Sequence, residues 1–213
     1  KIVKLWYNSF NHLLQIDEDA NTFFKNSFLS LNFDSDDEKK KMENSVTSII
    51  MTGFQQAADL SSLAKSLKVP VNPEFDKLIS ANNTPKIVKL NEITFHILGP
   101  SEKNLEKLRK DWRDWRDKKK LHHALILDVL QILDKSVTNL SSIMLLVESN
   151  SKKILFTGDG TSDDIITALS KLSMLDNEGK FHVNVLKVPH HGSERNVTPD
   201  FFSKVTADYY VIS

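Results

Sequence analysis

A chain of 213 residues, 40% hydrophobic and 26% charged, has enough apolar material for one sizeable core, and no apolar run in it is long enough to span a bilayer. Its 28 basic and 28 acidic residues cancel, so no global field draws a polyanion, and contact with nucleic acid would need a local basic patch. With no cysteine there is neither a disulfide nor a thiolate ligand, so a metal site must be built from histidine and carboxylate, and a cytoplasmic location is the expectation.

In chain order, the apolar run IVKLWY over residues 2–7 predicts a strand, followed by the polar turn Asn8 to His12 and a helix at LLQI. The charge run DSDDEKKK, Asp34 to Lys41, is a solvated loop or helix start. Over residues 43–68, Val46, Ile49, Ile50, Phe54, Ala57, Leu60, Leu63 and Leu67 recur at spacings of three and four. That pattern fits an amphipathic helix pair joined near Asp59 to Ser61 and stopped by VPVNP. KIVKLNEITFHILGP alternates as a strand hairpin turning at Asn91 and Glu92. Residues 102–120 set Leu105, Leu108, Trp112 and Trp115 on one face of a helix. The Trp pair has a reading as a base-stacking surface and a plainer one as core or partner packing. SSIMLLVE and KKILFTGD read as a second hairpin turning at Ser149 to Lys152. A helix over residues 161–172, the strand HVNVLKV and a last strand in ADYYVIS follow.

Two of these strands end in polar residues that carry chemistry. Asp159 follows KKILFTG, and the pair His190 and His191 follows HVNVLKVP. Short loops at the ends of sheet strands are rigidly held, which is where layered folds place their sites. A carboxylate and two imidazoles are the oxygen and nitrogen donors that Zn, Mn or Fe takes when no thiol is present. Each also has a structural reading, the Asp as a turn former in Gly-Asp-Gly and the histidines as ordinary loop residues.

LFTGDG, followed some thirty residues later by VLKVPHHGS, resembles the last two metal motifs of metallo-β-lactamase-fold hydrolases of the bacterial competence-protein (DNA-uptake) branch. TNLSSIMLLVE resembles the strand entry of the same branch and puts Asn139 and Ser142 near the site. The likeness covers residues 136–213 well and the earlier part loosely, there through the 43–68 insert and LGPSEKNLEKL. It implies an α+β fold, an αββα sandwich of two facing sheets with helices outside, incomplete at its N-terminal edge. The chain would be one domain over 1–213, with residues 43–68 as a helical insertion and 102–135 as a helical segment between the halves.

The resemblance further implies a divalent metal, zinc first and manganese or iron next, activating water against a phosphodiester or an amide. Asp159 would bridge metals and serve catalysis, His191 would be the terminal ligand, and His190 a ligand, proton donor or supporting residue. Ser193, Lys187 and Asn139 would face the substrate. In place of the family's His-x-His-x-Asp-His loop the chain has Tyr7-Asn8-Ser9-Phe10-Asn11-His12, so His12 is the ligand that carries over, and Asn11 offers an oxygen without the charge. His96 has no clear counterpart and reads as structural.

Two functions stand side by side. One is a metal-dependent phosphodiesterase or nuclease acting on nucleic acid or a nucleotide. The other is a catalytically inactive domain serving as an interaction or regulatory module of a larger assembly, for instance in bacterial defence, with a protein partner supplying or covering the missing N-terminal strands. Neither involves a membrane. In either case Asp159, His191 and His12 are expected to converge.

Overall fold

The computed structural model describes residues 2–9, 12–13, 15, 56, 59–82, 86–119, 140–194 and 196–213. The charge run Asp34 to Lys41, most of the 43–58 helical pattern, residues 120–135, Asn11 and Asn139 lie outside these. The chain forms two units, Lys1–Pro73 with Glu106–Val137, and Glu74–Leu105 with Thr138–Ser213.

In the first unit the run at residues 2–7 is not a strand. Leu5 makes a single parallel bridge to Val71, with Leu5 N donating to Pro70 O at 2.9 Å and Asn72 N to Leu5 O at 2.8 Å. Tyr7 N donates to Asn72 Oδ1 at 2.8 Å, and the Asn72 amide returns a bond to Tyr7 O at 2.7 Å. A side chain thus replaces the next rung of a ladder. The join expected near Asp59 to Ser61 is also absent, because residues 59–66 are helical throughout. That helix ends where Lys68 turns left-handed (φ 54°), with Lys68 N on Lys65 O at 3.1 Å and Val69 N on Ala64 O at 2.9 Å. This is the paired-bond helix stop that usually recruits glycine, here followed by Pro70. Ala64 is buried, whereas Leu60, Leu63 and Leu67 are exposed.

The second unit is α+β, a six-stranded mixed sheet with helices. Strands β1 (Ile87–Leu90) and β2 (Ile93–Gly99) form the expected hairpin, and Asn91 takes the left-handed conformation (φ 55°) that a two-residue turn needs. Helix α1 (Glu102–Lys119) follows in sequence, its first residues to Leu105 in this unit and the rest, from Glu106, in the first; Leu105 and Leu108 are each fully buried, and the side chains of Trp112 and Trp115 lie outside the described set. Strands β3 (Met144–Ser149) and β4 (Lys152–Phe156) make the second hairpin. Asn150 and Ser151 both have positive φ, 47° and 63°, the turn whose twist matches the strands it joins.

Helix α2 (Ser162–Lys171) then carries the chain to β5 (Phe181–Lys187), which pairs parallel to β4. A tight turn (Pro189–Gly192) and helix α3 (Pro199–Lys204) lead on to β6 (Val205–Val211), parallel to β5. The sheet order is β1-β2-β3-β4-β5-β6. The register puts His96, Leu146 and Leu155 side by side on one face. Leu146 and Leu155 there join Leu98 and Met144 in a core closed by Ile165, Ala168 and Leu169 of α2. Because β4 and β5 run the same way, the chain leaves both at the same end of the sheet. The segments after Phe156 and after Lys187 are therefore neighbours, although some thirty residues separate them.

Candidate functional site

Hydrogen bonds tie the ends of β4 and β5 together before either loop begins. The buried Thr157 donates its hydroxyl to Lys187 O at 2.6 Å. One residue on, Gly158 O accepts from Lys187 Nζ at 3.0 Å and from His190 N at 3.1 Å, so a single carbonyl clamps the Asp159 turn to the histidine turn. Gly158 has φ +52°, and a Cβ there would lie 2.9 Å from Ser142 Cβ, so both its backbone and its space call for glycine. Asp159 N donates to Ser142 Oγ at 3.0 Å, and Asp159 O accepts from Asn196 Nδ2 at 3.3 Å. With its backbone held on both sides, Asp159 keeps a carboxylate that is 29% exposed.

The other turn is more unusual. His190, His191 and Gly192 are all left-handed, with φ of 43°, 54° and 80°. A non-glycine residue in that region costs about 1–2 kcal/mol, and such outliers concentrate at functional sites. Ser193 closes the turn, its N–H donating to His190 O at 2.9 Å and its carbonyl accepting from Asn196 N and Val197 N. Asn196 is then anchored to α2, its carbonyl accepting from Ser162 N and Ser162 Oγ, both at 2.9 Å.

The two imidazoles stand edge to face, centroids 5.9 Å apart at 81°. His191 Nδ1 is bonded to the carbonyl of Ser213, beyond the end of β6, and Nε2 lies 3.8 Å from Asp159 Oδ1. A carbonyl only accepts, so Nδ1 is the donor in that contact, which leaves Nε2 as the nitrogen facing the carboxylate. Metal-binding histidines are ordinarily arranged this way, with the far nitrogen donating to a carbonyl. Two ligands about 2 Å from one tetrahedral ion lie about 3.3 Å apart, so a shift of about half an ångström would bring this pair onto a shared cation. Such a pair could supply two of a divalent ion's ligands. Among the described residues no group of three or more His, Asp or Glu could hold a metal ion.

Of the residues singled out from sequence, Asp159, Lys187, His190, His191 and Ser193 come together here. Lys187 meets the Gly158 carbonyl. His12 belongs to the other unit, where its N–H donates to Ser9 Oγ at 3.3 Å. His96 is nearly buried on β2, its Nε2 2.7 Å from Glu148 Oε2 on β3, which is a cross-strand structural pair. Sequence reasoning passed over Asn196, and nothing in NVTPD marks it as the brace between α2 and the Asp159 turn. A cavity of about 470 Å³ lies elsewhere, along α2, lined by Lys86, Leu98, Lys103, Asp163 and Lys171 among others, and it includes none of the paired ligands. Comparisons with protein families, with curated proteins and with solved structures found no match to this chain.

Proposed function

We propose that this chain is a metallo-β-lactamase-fold hydrolase of the competence-protein type, a metal-dependent phosphodiesterase acting on nucleic acid or a nucleotide. The observation that carries the reading is the pairing of Asp159 with Nε2 of His191, side by side at the ends of parallel strands. When bound, a divalent ion (zinc first, manganese or iron next) would lower the pKa of a water so that it attacks phosphorus, and would neutralise charge gathering on the phosphoryl oxygens. Asp159 and His191 would hold that ion. The clamp of Thr157, Lys187 and Asn196 fixes the backbone that carries the Asp159 carboxylate, which limits the reorganisation needed on binding.

The sheet is read as one half of an αββα sandwich. In support, α2 covers one face, while the opposite face carries Leu145, Val147, Ile154 and Phe156, all at least partly exposed, as the side that would meet a second sheet. A second reading, an inactive interaction module, is favoured by the Tyr7 to His12 loop, which keeps one histidine of its family's ligand set.

Metal analysis of the purified chain separates the two. Near-stoichiometric Zn, Mn or Fe that is lost in Asp159→Ala supports the hydrolase, and near-zero metal in the wild type supports the module.

A further inference from the structure

The adjacent histidines have opposite surroundings at Nδ1. His191 Nδ1 has the Ser213 carbonyl to donate to, whereas His190 Nδ1 is sealed from solvent with no hydrogen-bond partner. A neutral imidazole carries one N–H and one lone pair. Placing the His190 proton on Nδ1 would bury a donor with nothing to accept it, and orphaned buried N–H groups are rarer in proteins than under-used acceptors. The proton therefore belongs on Nε2, the nitrogen left to the half-exposed side of the ring.

That tautomer has a functional consequence. A histidine metal ligand needs its lone pair toward the ion and its other N–H on a partner, which is the arrangement of His191 and not that of His190. The His190 backbone is fixed by its bond to Gly158 O, and the same carbonyl holds the Lys187 ammonium 3.0 Å away, so a fixed positive charge lies on the carbonyl that anchors the histidine turn.

We propose that His190 is a catalytic hydrogen-bond donor, presenting Nε2–H to an anionic phosphoryl oxygen of the substrate, while His191 alone of the pair serves the metal. The choice of phosphoryl oxygen rests on the phosphodiesterase reading above; the tautomer does not. The strained left-handed turn has a reason on this account, since it sets two neighbouring rings nearly perpendicular, at 81°, one for a cation and one for an anion.

The test uses the full chain and two probes, Zn²⁺ alone and inorganic phosphate. Long-range ¹H–¹⁵N correlation on histidine-labelled, metal-free protein should show His190 as the Nε2–H tautomer and His191 as Nδ1–H. By titration calorimetry, His190→Ala should weaken phosphate binding about tenfold, the size of one lost hydrogen bond to a charged group. His190→Gln, whose amide N–H lies near the position of Nε2, should stay within about threefold of wild type by the same reckoning. Both variants should bind Zn²⁺ as the wild type does, and His191→Ala should not. An Nδ1–H His190, Zn²⁺ affinity lost in His190→Ala, or equal phosphate affinity in the Ala and Gln variants would each overturn the assignment. A wild type that binds no Zn²⁺ would sink the metal reading instead, leaving the tautomer and phosphate results to decide this one.

Discussion

Lys187 Nζ and Gly158 O are 3.0 Å apart, so the last residue of β5 holds down the turn at the end of β4. A lysine at the rim of a site suggests substrate binding, yet this one spends a donor on the protein's own backbone. A bond to a charged donor contributes about 1.5–3 kcal/mol when buried, and half-exposure brings this one nearer 1 kcal/mol. Lys187→Met should therefore lower the melting temperature by about 2–4 °C in a chain of this size. It should also weaken zinc binding about tenfold, because the turn carrying Asp159 is freed. Calorimetric titration of the variant checks this, and unchanged zinc affinity would show that the clamp is irrelevant to the site.

What the sequence made legible here was periodic or local. The hairpins at Asn91 and at Asn150 follow from turn chemistry and alternation, and helix α2 from Ile165 and Leu169 at helical spacing. Asp159 and the histidine pair stood out because polar residues followed apolar strands. Ser142, which holds the Asp159 N–H, stood out through the family resemblance, but the Asn196 brace was not legible, since it reaches the Asp159 turn through one contact across 37 positions, and no periodicity records a single contact. Residues 2–7 misled for a related reason. An apolar run says that a segment is suited to pairing, but only the partner decides how many rungs form, and Asn72 takes the second.

Two glycines separate backbone strain from crowding. Gly158 and Gly179 both have positive φ, +52° and +73°, but a Cβ at Gly179 meets nothing within 4 Å while one at Gly158 lies 2.9 Å from Ser142 Cβ. Gly179→Ala should cost only the left-handed penalty, about 1 kcal/mol, and Gly158→Ala about 2–3 kcal/mol. Urea denaturation midpoints of the two variants give the comparison. Equal losses would mean that the Ser142 contact relaxes freely.

The outer strands predict an acid response. The Asn184 amide donates to Asp208 Oδ2 at 2.7 Å and the His182 imidazole stands 3.3 Å from Oδ1, so that carboxyl is held below the usual aspartate range, the amide bond being the larger cause. A carboxyl depressed in the folded state adds stability that is fully present above its unfolded pKa and is lost as pH falls through the folded one. Asp208→Asn should thus be less stable than wild type at neutral pH, with the difference fading below about pH 4. Denaturation midpoints at several pH values test it, and a difference that persists undiminished in acid would rule out this linkage.

Function and folding should come apart between the site and the core. Asp159 and His191 have side chains 29% and 59% exposed, with backbones held by bonds that alanine retains, so Asp159→Ala and His191→Ala should leave the metal-free melting temperature nearly unchanged. Zinc at a hundred times its Kd would stabilise the wild type by about 2.7 kcal/mol, a rise of about 5–10 °C, and both variants should lose that rise together with any phosphodiesterase activity. Leu108, fully buried on α1, should behave in the opposite way. Leu108→Ala removes core packing worth about 2–5 kcal/mol and lowers the melting temperature with and without metal, while the zinc-induced increment survives. Thermal scans of the four proteins with and without zinc read both effects at once. A full zinc increment in Asp159→Ala would place the metal somewhere other than this pair of loops, and no increment in the wild type would turn the assignment toward an interaction module.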